Sequence, residues 1–287
     1  MLTGASINED YKKILSKVVC SLENRDCMLH HCEHCPGPEG VEAAIATYFK
    51  DNDPEELIEY KQWIHTDRDT LETQQLSTEE YVEDIAAKLW NLSCHHYIAK
   101  HQSQHLKALK SDLKEGEFTI LMDFAENYSF LVQEAVQDFH WENSQATVHP
   151  FVVYYRENEE VQCVNLCVIS DCLRHDMITV HVYIGKVINY LKMQFSKISH
   201  IHYFSDGSAA QYKNFKNFFN LCHREEWNFF GTSHGKSPCD GIGGTTKQLA
   251  ARASLQRLYE NQILTFKDLF NFCIDIINGI NQYNIII

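Results

Sequence analysis

Hydrophobic and polar positions follow two different rhythms along this chain, and the change falls near residue 115. Before it, apolar residues recur at helical spacing. Val41 to Lys50 predicts one helix, and Asp53-Pro54, an N-cap acid followed by proline, predicts the start of another. Ser77-x-x-Glu80 is a capping box. It opens a helix to about Leu113, with Tyr81, Ile85, Leu89, Ile98, Leu106, Leu109 and Leu113 near one face. At roughly 1.5 Å per residue such a helix would be about 50 Å long, so a bend or break is expected.

After Lys114-Glu115-Gly116 short apolar runs take over. Phe118 to Met122, Thr147 to Tyr155, Val161 to Ile169, His200 to Ser205 and Trp227 to Phe230 predict five strands. Helices are expected over Asp176 to Ile198, with Val180, Ile184, Val187, Leu191 and Phe195 on one side, then over Gln211 to Cys222 and Thr245 to about Tyr259. Three strands followed by alternating helices and strands predict an α/β fold with a mixed sheet flanked by helices. The expected organisation is a Cys-rich, mainly helical region over 1–115, an α/β domain over 116–275, and an atypical tail over 276–287. That tail ends in three isoleucines and reads as something other than a native domain boundary, with a buried final strand as the alternative.

Composition limits the function classes. Over 287 residues, 44% hydrophobic and 22% charged content is ordinary for a globular chain with a sizeable core. No apolar run approaches the roughly 18 to 20 residues a membrane span needs, so no membrane partner is expected. The first residues lack the layout of a signal peptide, and 11 cysteines is an odd count. Both point to reduced thiols in an intracellular setting. The net charge of −14 is concentrated in residues 1–117, with 22 acids against 12 Lys and Arg. Such a balance counts against tight autonomous DNA binding, although divalent cations and a local basic groove can offset a distant acidic region.

The densest chemistry near the N-terminus is Cys20-x6-Cys27-x4-Cys32-x2-Cys35, interleaved with His30, His31 and His34. Zinc needs four converging soft or borderline ligands, and closely spaced cysteines on a turn supply two at once. Cys32 and Cys35 ahead of Pro36-Gly37 form a plausible knuckle that Cys20 and Cys27 would complete. The expected role is a structural Zn2+ site, although free thiols in a loop would give the same pattern. His101 and His105 lie one helical turn apart with Cys94 nearby, but no Glu stands between them as in a hydrolytic zinc helix. They read as solvated or partner-facing.

Three acids sit where apolar runs give way to polar or Gly-rich loops: Asp123, Asp206 and Asp240. An Asp after a strand is commonly a turn residue. If the first and fourth strands are neighbours, however, Asp123 and Asp206 leave the same sheet edge about 4.8 Å apart. Close carboxylates repel one another, and oxygen ligands favour Mg2+ or Mn2+ as the neutralising cation. Two such ions would suit in-line displacement at phosphorus.

Around these acids, three blocks carry a family resemblance. They are Asp123-Phe124-Ala125-Glu126-Asn127-Tyr128, Phe204 through Asn214 with Ser205-Asp206-Gly207 at its start, and His234 through Gly244 with Cys239-Asp240-Gly241 at its centre. The chain resembles, over about residues 15 to 275, animal transposase-derived proteins of the RNase H-like DDE/DDD transposase and integrase superfamily. The resemblance implies a five-stranded RNase H-like sheet in order 3-2-1-4-5. It also implies a triad of Asp123, Asp206 and Asp240 holding two Mg2+ or Mn2+ ions, metal-dependent DNA cleavage and strand transfer, and a nuclear setting. Transposon ends and target DNA are the implied partners, with a further copy of the chain as an additional option. In many members of the superfamily the third acid is Glu on the final helix, whereas the matching block here offers Asp at a helix entrance. Glu126 reads as an auxiliary ligand, Lys213 and Lys247 as phosphate contacts, and His234 and Lys236 as auxiliary groups beside the third block. Gln211 and Asn214 are expected to hold the Asp206 loop. No insertion domain is expected between the fifth strand and the third acid, and no terminal-repeat-binding domain before residue 15.

A nucleotide-binding P-loop is excluded at Gly231 to Ser237, because three residues rather than four separate the glycines and Pro238 follows at once. The alternative function is a catalytically inactive, domesticated transposase relic that binds DNA or protein.

Overall fold

A computed structural model describes residues 11–49, 53–131, 144–221, 224–231, 237–277 and 279–285. The chain forms two compact units, 1–101 and 102–287. Their division lies upstream of the expected 115/116 boundary and falls inside a long helix.

In the first unit, α1 (Tyr11–Val18), α2 (Arg25–Met28) and α3 (Gly37–Ala46) frame the cysteine segment. Asn24 caps α2, its side chain accepting from the N–H groups of Asp26 and Cys27 at 2.8 and 3.3 Å. Val18, Val19, Cys27, Met28, Val41 and Ala86 make a small core. The helix expected from Asp53-Pro54 is instead a hairpin, in which β1 (Leu57–His65) pairs antiparallel with β2 (Asp69–Ser77). Asp53 forms a turn, its side chain accepting from the Glu55 N–H at 3.0 Å. Beyond that turn Ile58, Tyr60, Gln62 and Ile64 alternate half-buried with exposed Glu59, Lys61 and Trp63. Period-two burial of β-branched and aromatic residues outweighs the proline signal. The first region thus carries a β-hairpin among its helices.

The expected long helix is continuous as α4 (Thr78–Asp112). Its capping box is reciprocal. The Ser77 N–H donates to Glu80 Oε2 at 3.0 Å, and the Glu80 N–H donates to Ser77 Oγ at 3.3 Å.

The second unit is α/β, with a mixed sheet flanked by helices. Its strands are β3 (Glu117–Met122), β4 (Tyr128–Ser129), β5 (Gln145–Glu157), β6 (Glu160–Ser170), β7 (His200–Ser205), β8 (Glu225–Phe229) and β9 (Ile280–Ile285). The order is β8-β7-β3-β5-β6-β9, with β4 also pairing β5. β7 is parallel to both β3 and β8, whereas β5 is antiparallel to β3 and β6. The expected five strands are thus seven. The expected tail supplies β9, which runs parallel to β6 from Asn165↔Ile280 to Ser170↔Ile285. The segment Ile280-Asn281-Gln282-Tyr283-Asn284-Ile285 thus follows the alternative reading of the tail, a final strand, paired through its backbone with the β6 edge.

Strand alternation divides the core in two. Phe118, Ile120 and Met122 of β3 face α5 (Met177–Gln194) with its Val180, Tyr183, Val187 and Leu191. Leu121 and Phe204 face the opposite layer, where Ala250 belongs to α7 (Pro238–Gln256) and Leu269 to α8 (Phe266–Ile276). Burial on both faces makes β3 a continuous apolar run. Several helix bounds differ from the sequence expectation, with α3 starting at Gly37 rather than Val41 and α5 ending at Gln194 rather than Ile198. α6 covers only Phe215–Phe219, because the Asn214 side chain accepts from the Asn217 N–H and starts the helix there. α7 begins at Pro238 rather than Thr245, so Gly241, Gly243 and Gly244, read as loop residues, lie inside its first turns. Among the described residues, no helix is long and apolar enough to cross a membrane.

Candidate functional site

The parallel ladder between β3 and β7 aligns Leu121 with Phe204. Two residues further along, the same register sets Asp123 beside Asp206 as both strands end. Adjacent strands lie about 4.8 Å apart, so two carboxylates leave the same sheet edge side by side. Burial, followed by the negative charges of Asp206 and Asp240, pushes Asp123 up to about 7, against a lowering hydrogen bond from the Phe124 backbone. Asp206 starts its own turn, with Oδ1 accepting from the Ser208 N–H at 3.0 Å.

A buried pair missed by the sequence reading lies behind the two acids. Tyr212 is fully buried and its hydroxyl meets His149 Nε2 at 3.0 Å. Burial, then the charges of Asp123 and Asp206, hold the phenol well above its usual range. Burial pushes His149 down to about 3, so its ring is neutral. His149 Nδ1 is buried without a hydrogen-bond partner among the described residues. The signal was present only as a polar residue inside an apolar strand, Val148-His149-Pro150. Nothing local ties it to Tyr212.

The first block is held from both sides. The Ala125 N–H donates to the Val148 carbonyl at 3.0 Å. Asn127 Oδ1 accepts from Thr147 Oγ1 at 2.9 Å and contacts His175 Nε2 at 2.8 Å, while His175 stacks on Phe124 with centroids 4.2 Å apart. In the second block Asn214 Nδ2 donates to the carbonyls of Ala209 and Gln211 at 3.2 and 3.3 Å, so Asn214 braces the loop as expected. Gln211 takes part through its backbone carbonyl.

Asp240 sits in the first turn of α7 and is exposed. Its Oδ2 accepts from the Ser237 N–H at 2.8 Å as the acid of a capping box, which is a structural use of that carboxylate. Among the described residues, two groups of three or more His, Cys, Asp or Glu bring ligand atoms within 4.8 Å of one another. One is the four cysteines and the other lies on β7 and β8; the three aspartates together are neither.

Gly243 brings α7 to the acids. A Cβ there would lie 2.8 Å from Ala125 Cβ and 3.5 Å from Pro150 Cγ, so only glycine allows this approach. Nearby, buried Cys239 Sγ donates to the Leu121 carbonyl at 3.6 Å. Gly243→Val is expected to destabilise the second unit by about 2 kcal/mol, within the usual cost of overpacking. An unchanged urea midpoint would show that α7 can move away from Ala125 without cost.

The remaining candidates divide. Glu126 is exposed, and its carbonyl accepts from Lys247 Nζ at 3.1 Å. Lys213 Nζ lies 5.5 Å from the Phe229 ring centroid at the end of β8. His234 and Lys236 lie outside the described residues.

In the first unit the four cysteine sulfurs do converge, all within 4.8 Å of one another, and could hold a zinc ion. Cys20 Sγ donates to the His34 carbonyl at 3.1 Å, and the Cys20 N–H donates to Cys35 Sγ at 3.4 Å. Burial, then shared hydrogen bonds with Cys32 and Cys35, push Cys27 up to about 12. A backbone hydrogen bond at His34 lowers Cys32. The interleaved histidines do other work. His30 stacks on Trp90 with centroids 3.5 Å apart and its Nε2 meets Ser93 Oγ at 2.7 Å, while His31 approaches Asp26 at the surface. His101 and His105 are exposed, and His101 packs on Tyr97 at 4.0 Å.

A family model described as Domain of unknown function (DUF8701) matches residues 102–286. A second, described as Domain of unknown function (DUF8700), matches residues 2–93. Comparison with curated proteins and with solved structures returns no match.

Proposed function

We propose that this chain, which belongs to the family described as Domain of unknown function (DUF8701), is a DNA-cleaving protein of the RNase H-like DDE/DDD transposase type. Asp123 and Asp206 are its principal metal ligands. The observation that carries this reading is the β3–β7 register, which brings two carboxylates from distant parts of the sequence to one sheet edge. The central strand order, with β5 and β6 on one side of β3 and β7 and β8 on the other, also supports it. So does the placement of Asp240 at the start of α7, close enough for its charge to act on Asp123.

Mg2+ or Mn2+ ions, when bound, supply activation of the attacking oxygen and stabilise charge on the leaving one. The protein's own part begins with Asp123, which would have to release its proton to hold a cation together with Asp206. Asp240 keeps Oδ2 on the Ser237 N–H, which leaves Oδ1 as the oxygen it can offer to the set. Tyr212 and His149 close the floor of the site, so the cleaved phosphate approaches from the solvent side. Lys247, held at the Glu126 carbonyl, and Lys213, beside the Phe229 ring, are the lysines this reading assigns to neighbouring phosphates. A freed 3′-hydroxyl held there would attack target DNA, and a nuclear setting is part of this reading.

Wild-type protein is expected to nick supercoiled DNA with Mn2+. Asp206→Asn should reduce the rate at least about 100-fold, since a directly coordinating group matters no less than the outer partners whose loss costs 10- to 100-fold. Equal rates in the two proteins would sink the mechanism. A second reading, a binding module that no longer cuts, is favoured by the engagement of Asp240 with Ser237. It predicts DNA or protein binding with no Mn2+-dependent nicking by either form.

A further inference from the structure

A second set of metal-type donors lies on β7, the strand that ends at Asp206. His200 and His202 are two apart, so their side chains share the face that Phe204 presents to the α7 and α8 layer. The β7–β8 register places Glu226 directly beside His202. The imidazole centroids are 4.5 Å apart, and His202 Nδ1 lies 2.6 Å from Glu226 Oε1. One ligand atom from each of His200, His202 and Glu226 lies within 4.8 Å of the others.

A single histidine–carboxylate hydrogen bond explains only part of this arrangement. That bond occupies His202 and one oxygen of Glu226, which also accepts from Asn228 Nδ2 at 3.3 Å. It gives no role to His200. Three borderline donors at one point are what a divalent zinc-like ion takes. With bonds of about 2.0 to 2.2 Å, tetrahedral ligand atoms lie about 3.3 Å apart, so side-chain rotation alone could close the set. Exposure is graded as well. The side chain of His202 is 11% exposed and that of Glu226 is 45% exposed, so the donors are anchored at one end and open to water at the other.

We propose that His200, His202 and Glu226 form a Zn2+ site with three protein ligands and a fourth position open to water. The ion would clip the edge strand β8 to β7 just upstream of Asp206. The site is independent of the nuclease reading, because it uses none of Asp123, Asp206 and Asp240, and it is chemically distinct from the cysteine cluster because no thiolate takes part.

The test uses the full chain, stripped with a chelator, reloaded with Zn2+ or Co2+ and freed of excess metal by gel filtration. Wild type is expected to retain one equivalent of zinc more than His200→Gln and more than Glu226→Gln. Zn2+ affinity at this site should fall at least about 100-fold in either variant. The wild-type-minus-variant Co2+ spectrum should show weak visible bands and no thiolate-to-cobalt charge transfer. Matching far-UV circular dichroism of the stripped proteins would show that the substitutions spare the fold. Equal zinc content in all three proteins would overturn the proposal, and so would a difference spectrum carrying thiolate charge transfer.

Discussion

A chain carrying Cys32→Ser and Cys35→Ser together is expected to lose about one equivalent of bound zinc and, with it, the ordered structure of residues 11–49. The reason is the small core beside those cysteines. Val18, Val19, Met28 and Val41 are its main buried residues in that segment, and Cys27, Cys32 and Cys35 belong to the same packing. α1 has 8 residues and α2 has 4, both far below the length at which a helix is stable alone. In such small metal sites, the free energy of binding is the free energy of folding. Limited proteolysis should therefore cut the variant within 11–49, while residues 102–287 keep their own melting transition. Undiminished zinc together with unchanged protection would show that the cysteines pack as ordinary thiols. A chelator at mildly acidic pH should reproduce the variant's behaviour in the wild type, because ligation requires thiolates.

Asp123→Asn is expected to make the metal-free protein more stable at neutral pH while removing its response to Mn2+. In the folded chain Asp123 holds its proton up to about 7, against an ordinary 3.8. Between those values the folded state binds more protons than the unfolded state. Stability contributed by this group is therefore present at low pH, declines as pH rises from about 4 to about 7, and is level beyond. The full difference corresponds to at most about 4 kcal/mol, and partial exposure with solvent screening reduces it to about 1 to 3 kcal/mol. Urea denaturation in chelator at pH 5 and pH 8 should show a steeper loss in wild type than in Asp123→Asn. Mn2+ should restore stability to the wild type alone. Parallel pH profiles would mean that the Asp123 carboxylate is not strained by its neighbours.

Features set by nearby residues were legible in the sequence. The four cysteines were found from spacing, and they do converge. The β3, β5, β6, β7 and β8 segments were visible as apolar runs, most clearly β3 and β7, which are buried on both faces and need no polar alternation. The hairpin of β1 and β2 was hidden by Asp53-Pro54, which supports a turn as readily as a helix start. β9 was legible only as the alternative reading of the tail, because its pairing depends on the distant β6 edge. The same limit applies at the site. Asp123 and Asp206 could be singled out as strand-end acids, but the contact of His149 with Tyr212 joins residues from two distant segments. The third block drew attention to Asp240 as a ligand, whereas its nearest observed partner is the backbone of Ser237.

The parallel pairing of β3 with β7 also fixes when the site can exist. Antiparallel strands can close through a short turn, but parallel neighbours need a long crossover. Here the intervening chain includes β5, β6 and α5. Closing that loop costs entropy before the pairing returns any, which makes such contacts late in folding. A partly folded chain, or one still emerging during synthesis, therefore lacks the paired carboxylates. The juxtaposition of Asp123 and Asp206 arrives only with the pairing of β3 and β7.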